Sequence, residues 1–375
     1  MMRMAAARGA GRRVARGQEG IALIVVMISI FVLTMLAGGF AYSMKVETKL
    51  ARNGNSEEEL QWLGRSGVEY ARWILAQQLQ IPSEPYDGMD QVWAGGPGGI
   101  GTSNSPLADV QKEVQLGDGT FKWEIKDLER KWNINAMIQP GGQDLLQNAF
   151  TLMNMDAGDV TPLANSILNW MDKGTRIQGA TSDDYSRMNP PYAAKNGPID
   201  DLSELLLIRG ISPDMYWGTS SSDHPVSIFT PRENRSHMPT DEPSFPVGLV
   251  DLFTPISDGK ININTASAAV LQLIPNMTPE AAQAIVSGRE GEDDGSGLTG
   301  PYRSVGQVSR MPEINPQMAA LIGRFGDVRS RTFQVNVTAT VSGYSRYFSA
   351  ILLRNNPRDI QILSFYWSDP DEQKH

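Results

Sequence analysis

The sequence predicts an α+β protein in which one long N-terminal helix packs on a small antiparallel sheet, with a large helical domain inserted between two parts of that sheet. Three features of the 375 residues carry this expectation. An apolar run near the N-terminus passes into an amphipathic stripe. Strand-type alternation occurs twice, around residues 110–128 and again from 328 to the end. Between them lies a stretch of short helical segments, most opened by a capping residue.

The first element is the apolar run. From Ile21 to Met44 there are 24 residues without a charge, about 36 Å of helix at ~1.5 Å per residue, enough for a hydrocarbon core of ~30 Å. The run is too long for the 7–15 apolar residues of an ordinary signal peptide. Beyond it, Val46, Leu50, Leu60, Leu63, Gly67, Ala71, Ile74 and Leu75 approximate a helical stripe, so one helix is expected to run from the bilayer into water. Arg3, Arg8, Arg12, Arg13 and Arg16 against Glu19 leave the first twenty residues at net +4, and residues 21–375 then carry −13 of the total −9. By the positive-inside rule the basic leader stays cytoplasmic and the acidic body is exported.

Residues 81–109 are rich in Gly, Pro and Ser and read as loop. Val110–Leu116, the pair Asp118-Gly119 and Phe121–Leu128 then fit a β-hairpin. From Gln139 to about Asp327 the chain reads as short helices, with caps expected at Thr161, Asp200, Thr265, Thr278 and Asn315. Three segments near the C-terminus, "RTFQVNVTATVSG", "YSRYFSAILLR" and "IQILSFYW", supply the remaining strands.

Composition excludes several classes of function. There is no cysteine, hence no disulfide, thiolate metal site or cysteine nucleophile. His224 and His237 sit in a Pro/Ser/Asp-rich stretch and read as solvated. No Ser/His/Asp order, phosphate loop or paired-carboxylate spacing stands out, so catalysis is not expected. The acidic body opposes non-specific nucleic-acid binding.

A basic leader ending in Gly20 and running straight into an apolar helix resembles the junction of type IV prepilins and type II secretion pseudopilins. That resemblance implies cutting after Gly20 by a prepilin peptidase, N-methylation of Ile21, and retention of the helix as inner-membrane anchor and assembly surface. Most relatives carry glutamate at the fifth mature position; here it is Val25, which implies a subunit that begins or caps the fibre. The whole arrangement is similar to the general secretion pathway protein K family (GspK), on "GIALIVVMISI", "WNINAM", "DLSELLLIRGISPDMY" and "ININTASAAVLQLIPNMTPEAAQAIVSGRE".

The expected layout is a cleaved leader 1–20, a transmembrane helix 21–44 and its periplasmic continuation 45–80. The first part of the pseudopilin sheet follows at 81–138, an inserted helical domain at 139–327 and the closing strands at 328–375. The implied role is a minor pseudopilin at the tip of the type II secretion pseudopilus. Its implied partners are other minor pseudopilins, the major pseudopilin and exported substrates. A type IV pilus minor pilin is the alternative within the same mechanism.

The resemblance also implies calcium in the helical domain. Asp172, Asp183 and Asp184 are the candidate ligands, although Gly174 and Thr181 stand where relatives have carboxylates. Residues 263–290 resemble a helix-hairpin-helix unit, the basis of a third reading as a membrane-tethered DNA-binding protein. The turn Pro275-Asn276-Met277-Thr278 lacks the glycine that lets backbone N–H groups approach phosphate, and acidic residues follow it, so no nucleic-acid partner is expected.

Overall fold

The computed structural model describes residues 19–99, 102–173, 176, 178–218, 245–291 and 299–368. Most of the leader, both internal histidines and the acidic residues Glu292, Asp293 and Asp294 lie outside them. Helix α1 spans Glu19–Gln78, and the chain divides into two compact units, Met1–Glu59 and Leu60–His375.

The first unit holds the apolar segment Ile21–Lys49, with mean hydropathy 2.8. Three of its hydroxyls are satisfied inside the helix. Ser29, Thr34 and Thr48 donate to the carbonyls of Val25, Ile30 and Met44 at 2.8, 2.7 and 2.7 Å, which removes the cost of bare hydroxyls in hydrocarbon. Val46 is exposed, so the expected stripe does not extend back to it.

In the second unit α1 buries Leu60, Leu63, Val68, Ala71, Ile74 and Leu75, the three-and-four spacing of one helix face. Glycines set how closely that face approaches the sheet. A Cβ at Gly64 would fall 2.5 Å from the Phe348 ring, and one at Gly67 would fall 2.5 Å from Val337.

The sheet has five antiparallel strands. β1 (Glu113–Leu116) and β2 (Gly119–Asp127) form the hairpin. β2 then pairs along its whole length with Thr332–Val341, from Gly119↔Val341 to Asp127↔Phe333. Tyr344–Asn356 and Asp359–Trp367 complete the order. Strands some two hundred residues apart are therefore direct neighbours. Phe121, Trp123 and Ile125 meet Phe333, Val335, Val337, Ala339, Phe348, Ala350 and Leu352 in one core with α1. The hairpin turn differs from expectation: Gly117, at φ +61, and Asp118 make the bend, and Gly119 opens β2. Only glycine fits at 119, because a Cβ there would strike Leu63.

Residues 81–99 and 102–109 are irregular but packed. Trp93 meets Phe333 edge-on at 5.3 Å, and Ile81 and Leu107 join the sheet core. Buried Glu84 accepts from Gln78 at 2.6 Å and from Gln91 at 3.2 Å, so the polar groups of this segment pair with one another.

The helical insert has its own core, from Trp132 to Val328, and it is one plan used twice. Each half opens with Asn-Ile-Asn at the end of a two-residue strand: Trp132–Asn133 pairs in parallel with Phe253–Thr254, and Ile261–Asn262 with Gly326–Asp327. The first asparagine accepts from the backbone N–H of the second, at 2.9 Å in both halves (Asn133 from Asn135, Asn262 from Asn264). The second asparagine clasps a distant backbone in both directions. Asn135 holds Ile199 at 2.7 and 2.8 Å, and Asn264 holds Tyr302 at 2.9 and 2.9 Å.

Between these points lies a helical hairpin in each half. In the first it is α2 (Gly142–Leu152) and α3 (Ala157–Met171), and in the second Ala268–Leu271 and Pro279–Glu290. Each turn holds a left-handed asparagine, Asn154 at φ 59 and Asn276 at φ 63, a conformation asparagine tolerates better than most residues. After the clasp both halves continue with a capping box, Asp201/Glu204 and Ser304/Gln307, and then Ser212-Pro213 and Asn315-Pro316 opening a further helix.

The caps at Thr278 and Asn315 stand where expected. Three others move. Thr161 and Pro162 lie inside α3, which starts after Asp156. Asp201, not Asp200, caps Leu202–Leu207. Ser267 caps Ala268–Leu271, because Thr265 is drawn into a buried polar cluster described below.

Candidate assembly and processing sites

At the N-terminal junction, Gly20 falls within α1, which begins at Glu19. Ile21 and Val25 are both exposed on that helix. From Ile21 to Met44 the sequence holds no carboxylate. Nothing in the span therefore offers an acidic partner to an incoming amine, and a buried glutamate placed there would be costly without one.

The three candidate metal ligands are otherwise engaged. Asp184 caps its own helix: one oxygen accepts from the Thr181 backbone N–H and hydroxyl at 2.9 and 3.0 Å, and the other meets Arg209 at 3.0 Å. Those bonds, the Thr181 backbone bond first, hold its carboxyl below the usual range. Asp172 lies 3.6 Å from Arg176, and Asp183 is exposed on Ser182–Ser186. Among the described residues no group of three or more His, Cys, Asp or Glu is placed to hold a metal ion. Calcium needs several converging oxygens, and these carboxylates as placed do not fit one.

The helix-hairpin-helix-like unit presents Thr278 capping Ala281, Pro279 without an N–H, and Glu280 in the first turn. A carboxylate at that helix end competes with phosphate for the same dipole.

What sequence reading did not find is a buried polar junction between insert and sheet. Asp127 ends β2 and is buried. One of its oxygens accepts from Asn262 at 3.1 Å, Thr265 at 2.6 Å and Ser330 at 2.6 Å; the other accepts from the Glu129 N–H at 2.8 Å. Glu129 in turn accepts from the backbone N–H groups of Arg331 at 2.7 Å and Thr332 at 3.0 Å. Asp87 pairs with the buried guanidinium of Arg354 and accepts from the Ser330 N–H at 2.9 Å, while Arg354 lies over the Phe333 ring at 4.5 Å. The cluster ties together the irregular segment, both parts of the sheet and the second Asn-Ile-Asn. The only sequence signal for it was the repeated Asn-x-Asn.

Burial, with the nearby Asp127 charge second, pushes the Glu129 carboxyl up to about 8 from 4.5. Burial raises Asp127 as well. A raised folded-state value means that the fold binds the proton more tightly than the unfolded chain. This contribution is complete below pH 4.5 and is lost as pH rises through about 8. Stability is expected to fall across that window by on the order of 4 kcal/mol, and Glu129→Gln should flatten the fall. Urea unfolding at stepped pH checks this; a profile that rises from pH 5 to 8 contradicts it. Lys131, lowered by burial to about 8, acts above that window.

Two models of one family, described as type II secretion system (T2SS), protein K, match residues 126–218 and 261–322, which are the two halves of the insert. The type II secretion system protein K of Pseudomonas aeruginosa is 23% identical over 291 residues, covering 74% of this chain and 74% of that protein. The protein of the same name from Aeromonas hydrophila is 22% identical over 54% of this chain and 61% of its own length. The putative one of Escherichia coli K12 is 24% identical over 53% and 60%. The chain thus spans about three quarters of the first relative and about three fifths of the other two. In the crystal structure of the GspK-GspI-GspJ complex from the enterotoxigenic Escherichia coli type 2 secretion system, one chain superposes with TM-score 0.60 at 16% identity, covering 85% of this chain and 99% of that one. At that identity the likeness is one of fold. Sequence, fold and the two matched halves agree in one likeness, to type II secretion system protein K.

Proposed function

We propose that the chain is a minor pseudopilin at the tip of a type II secretion pseudopilus, taking part in export of folded proteins across the outer membrane. The observation that carries this reading is a pair of features on one chain. The family-matched helical insert is built into a sheet, and the helix packed on that sheet also bears an apolar segment of membrane length.

In this reading a prepilin peptidase cuts after Gly20, Ile21 becomes the methylated N-terminus, and Ile21–Lys49 holds the protein in the bacterial inner membrane with its body in the periplasm. Ala37, Gly38 and Gly39 suit close helix–helix packing in the bilayer. Val25 offers no carboxylate to a subunit already in place, while the free amine of Ile21 remains available to one arriving below. The insert adds bulk that a fibre interior has no room for. Both features favour a position at the end of the fibre, above other minor pseudopilins and the major pseudopilin. The related GspK chain was solved together with GspI and GspJ, and partners of that class are proposed here.

The test is intact mass of the full-length chain extracted from membranes together with its co-eluting proteins. The expected species lacks Met1–Gly20, carries one added methyl group, and elutes with minor pseudopilins. A chain that keeps its leader and elutes alone would refute the reading.

A further inference from the structure

On α1, where the helix runs beside the edge strand of the sheet, Arg65 lies over the Trp62 ring at 5.3 Å and over the Phe365 ring at 6.0 Å. Phe365 stacks on Phe348 with centroids 5.4 Å apart, and Phe348 lies beneath Gly64. In the strand register Trp367 stands opposite Phe348, Phe365 opposite Ala350 and Ile362 opposite Leu352. Cross-strand partners share a face, so Ile362, Phe365 and Trp367 stand on the face that carries α1. Trp62 is 65% exposed, Trp367 57% and Ile362 40%. A helix and the free edge strand thus share one apolar patch, with a single guanidinium between two aromatic rings.

We propose that this patch seats the amphipathic helix of a neighbouring pilin-like subunit, with a carboxylate of that helix against Arg65. The inference rests on the reading of the chain as a pseudopilus subunit. Charge complementarity selects an acidic occupant: Arg65 has no carboxylate partner among the described residues, and the rings hold its guanidinium in place. Exposed tryptophan and arginine are the side chains that dominate binding energy when a partner desolvates them. The register favours a helix over an added strand. The edge strand carries an extra residue, Leu363, where the register shifts opposite Ile351 and Leu352, and such bulges twist an edge away from regular strand addition. An occupant anchored in the same membrane also has a raised effective concentration, so a modest patch suffices.

The experiment uses the full-length chain in membranes, co-expressed with each minor pseudopilin encoded beside it. A photo-crosslinking residue is placed at position 62, at 367 or, as a control, at 207, where Leu207 is exposed on the insert. Adducts are expected from 62 and 367 but not from 207, mapping to a helix of one sister subunit. Arg65→Glu should lower their yield at least about tenfold without moving the melting temperature. Converting the facing carboxylate of the sister to arginine should restore it.

Adducts on a strand of the sister or on a second copy of this chain overturn the inference, as does a yield indifferent to Arg65→Glu. Co-purification with a sister without adducts from 62 and 367 overturns the inference alone. Failure of the unsubstituted chain to co-purify with any sister overturns the functional reading and the inference with it.

Discussion

Gly67→Val is expected to destabilise the body by at least about 3 kcal/mol, although glycine is the worst ordinary helix former. Helix propensity predicts the opposite sign: replacing glycine inside an exposed helix gains up to about 1 kcal/mol. Packing decides the outcome here. A Cβ at position 67 would meet Val337 at 2.5 and 3.0 Å and Phe121 at 3.2 Å. Both neighbours lie on central strands, where a β-branched side chain has little rotamer freedom. Overpacking of a close-packed core costs about 1–3 kcal/mol when neighbours can shift, and here the helix itself must lift from the sheet. Gly64→Val, against Phe348, should behave alike. Gly38, with nothing within 4 Å, is the control: Gly38→Ala should leave melting unchanged. Tryptophan-fluorescence melting of the detergent-solubilised full chain distinguishes these, and a Gly67→Val protein as stable as the parent would show that the close approach of helix to sheet is not what orders the core.

The parts of the fold legible in the sequence are those with a period. The apolar run, the stripe from Leu60 and the alternating strands announce themselves because the burial of one face repeats every two or 3.6 residues. The pairing of β2 with Thr332–Val341 is not written in either segment, since all the strands alternate alike and only the folded sheet shows which are neighbours. The twofold plan of the insert was hidden for a physical reason. Its helices are short, and its turns use left-handed Asn154 and Asn276 where glycine would have been conspicuous. Its clasps also join residues far apart, Asn135 with Ile199 and Asn264 with Tyr302. Thr161-Pro162 misled because the pair satisfies a local rule that Asp156, five positions earlier, had already satisfied. At the sites, Gly20, Ile21 and Val25 were legible as a junction of charge and oil. The Arg65 patch was not, since its halves lie on α1 and on the last strand, brought together only by packing on Phe348.

Asp127→Ala is the second substitution of large expected effect, and its consequence goes beyond stability. Four donors from three segments converge on this carboxylate: Asn262 and Thr265, Ser330, and the Glu129 N–H. Removing it strands several buried donors at once, each worth about 1–3 kcal/mol when left unpaired, so a loss on the order of 4 kcal/mol is expected once partial relaxation is allowed for. Asp127→Asn should cost less, because an amide oxygen still serves some of the donors. Sheet core and insert core are separate apolar clusters, and Asp127 is a polar link between them through Asn262 and Thr265 on one side and β2 on the other. The Ala variant should therefore unfold in two transitions, insert and sheet apart, where the parent unfolds in one. Calorimetry of the full chain reads this directly. A single transition lowered by less than about 1 kcal/mol would mean that the two cores are coupled by their apolar contacts alone.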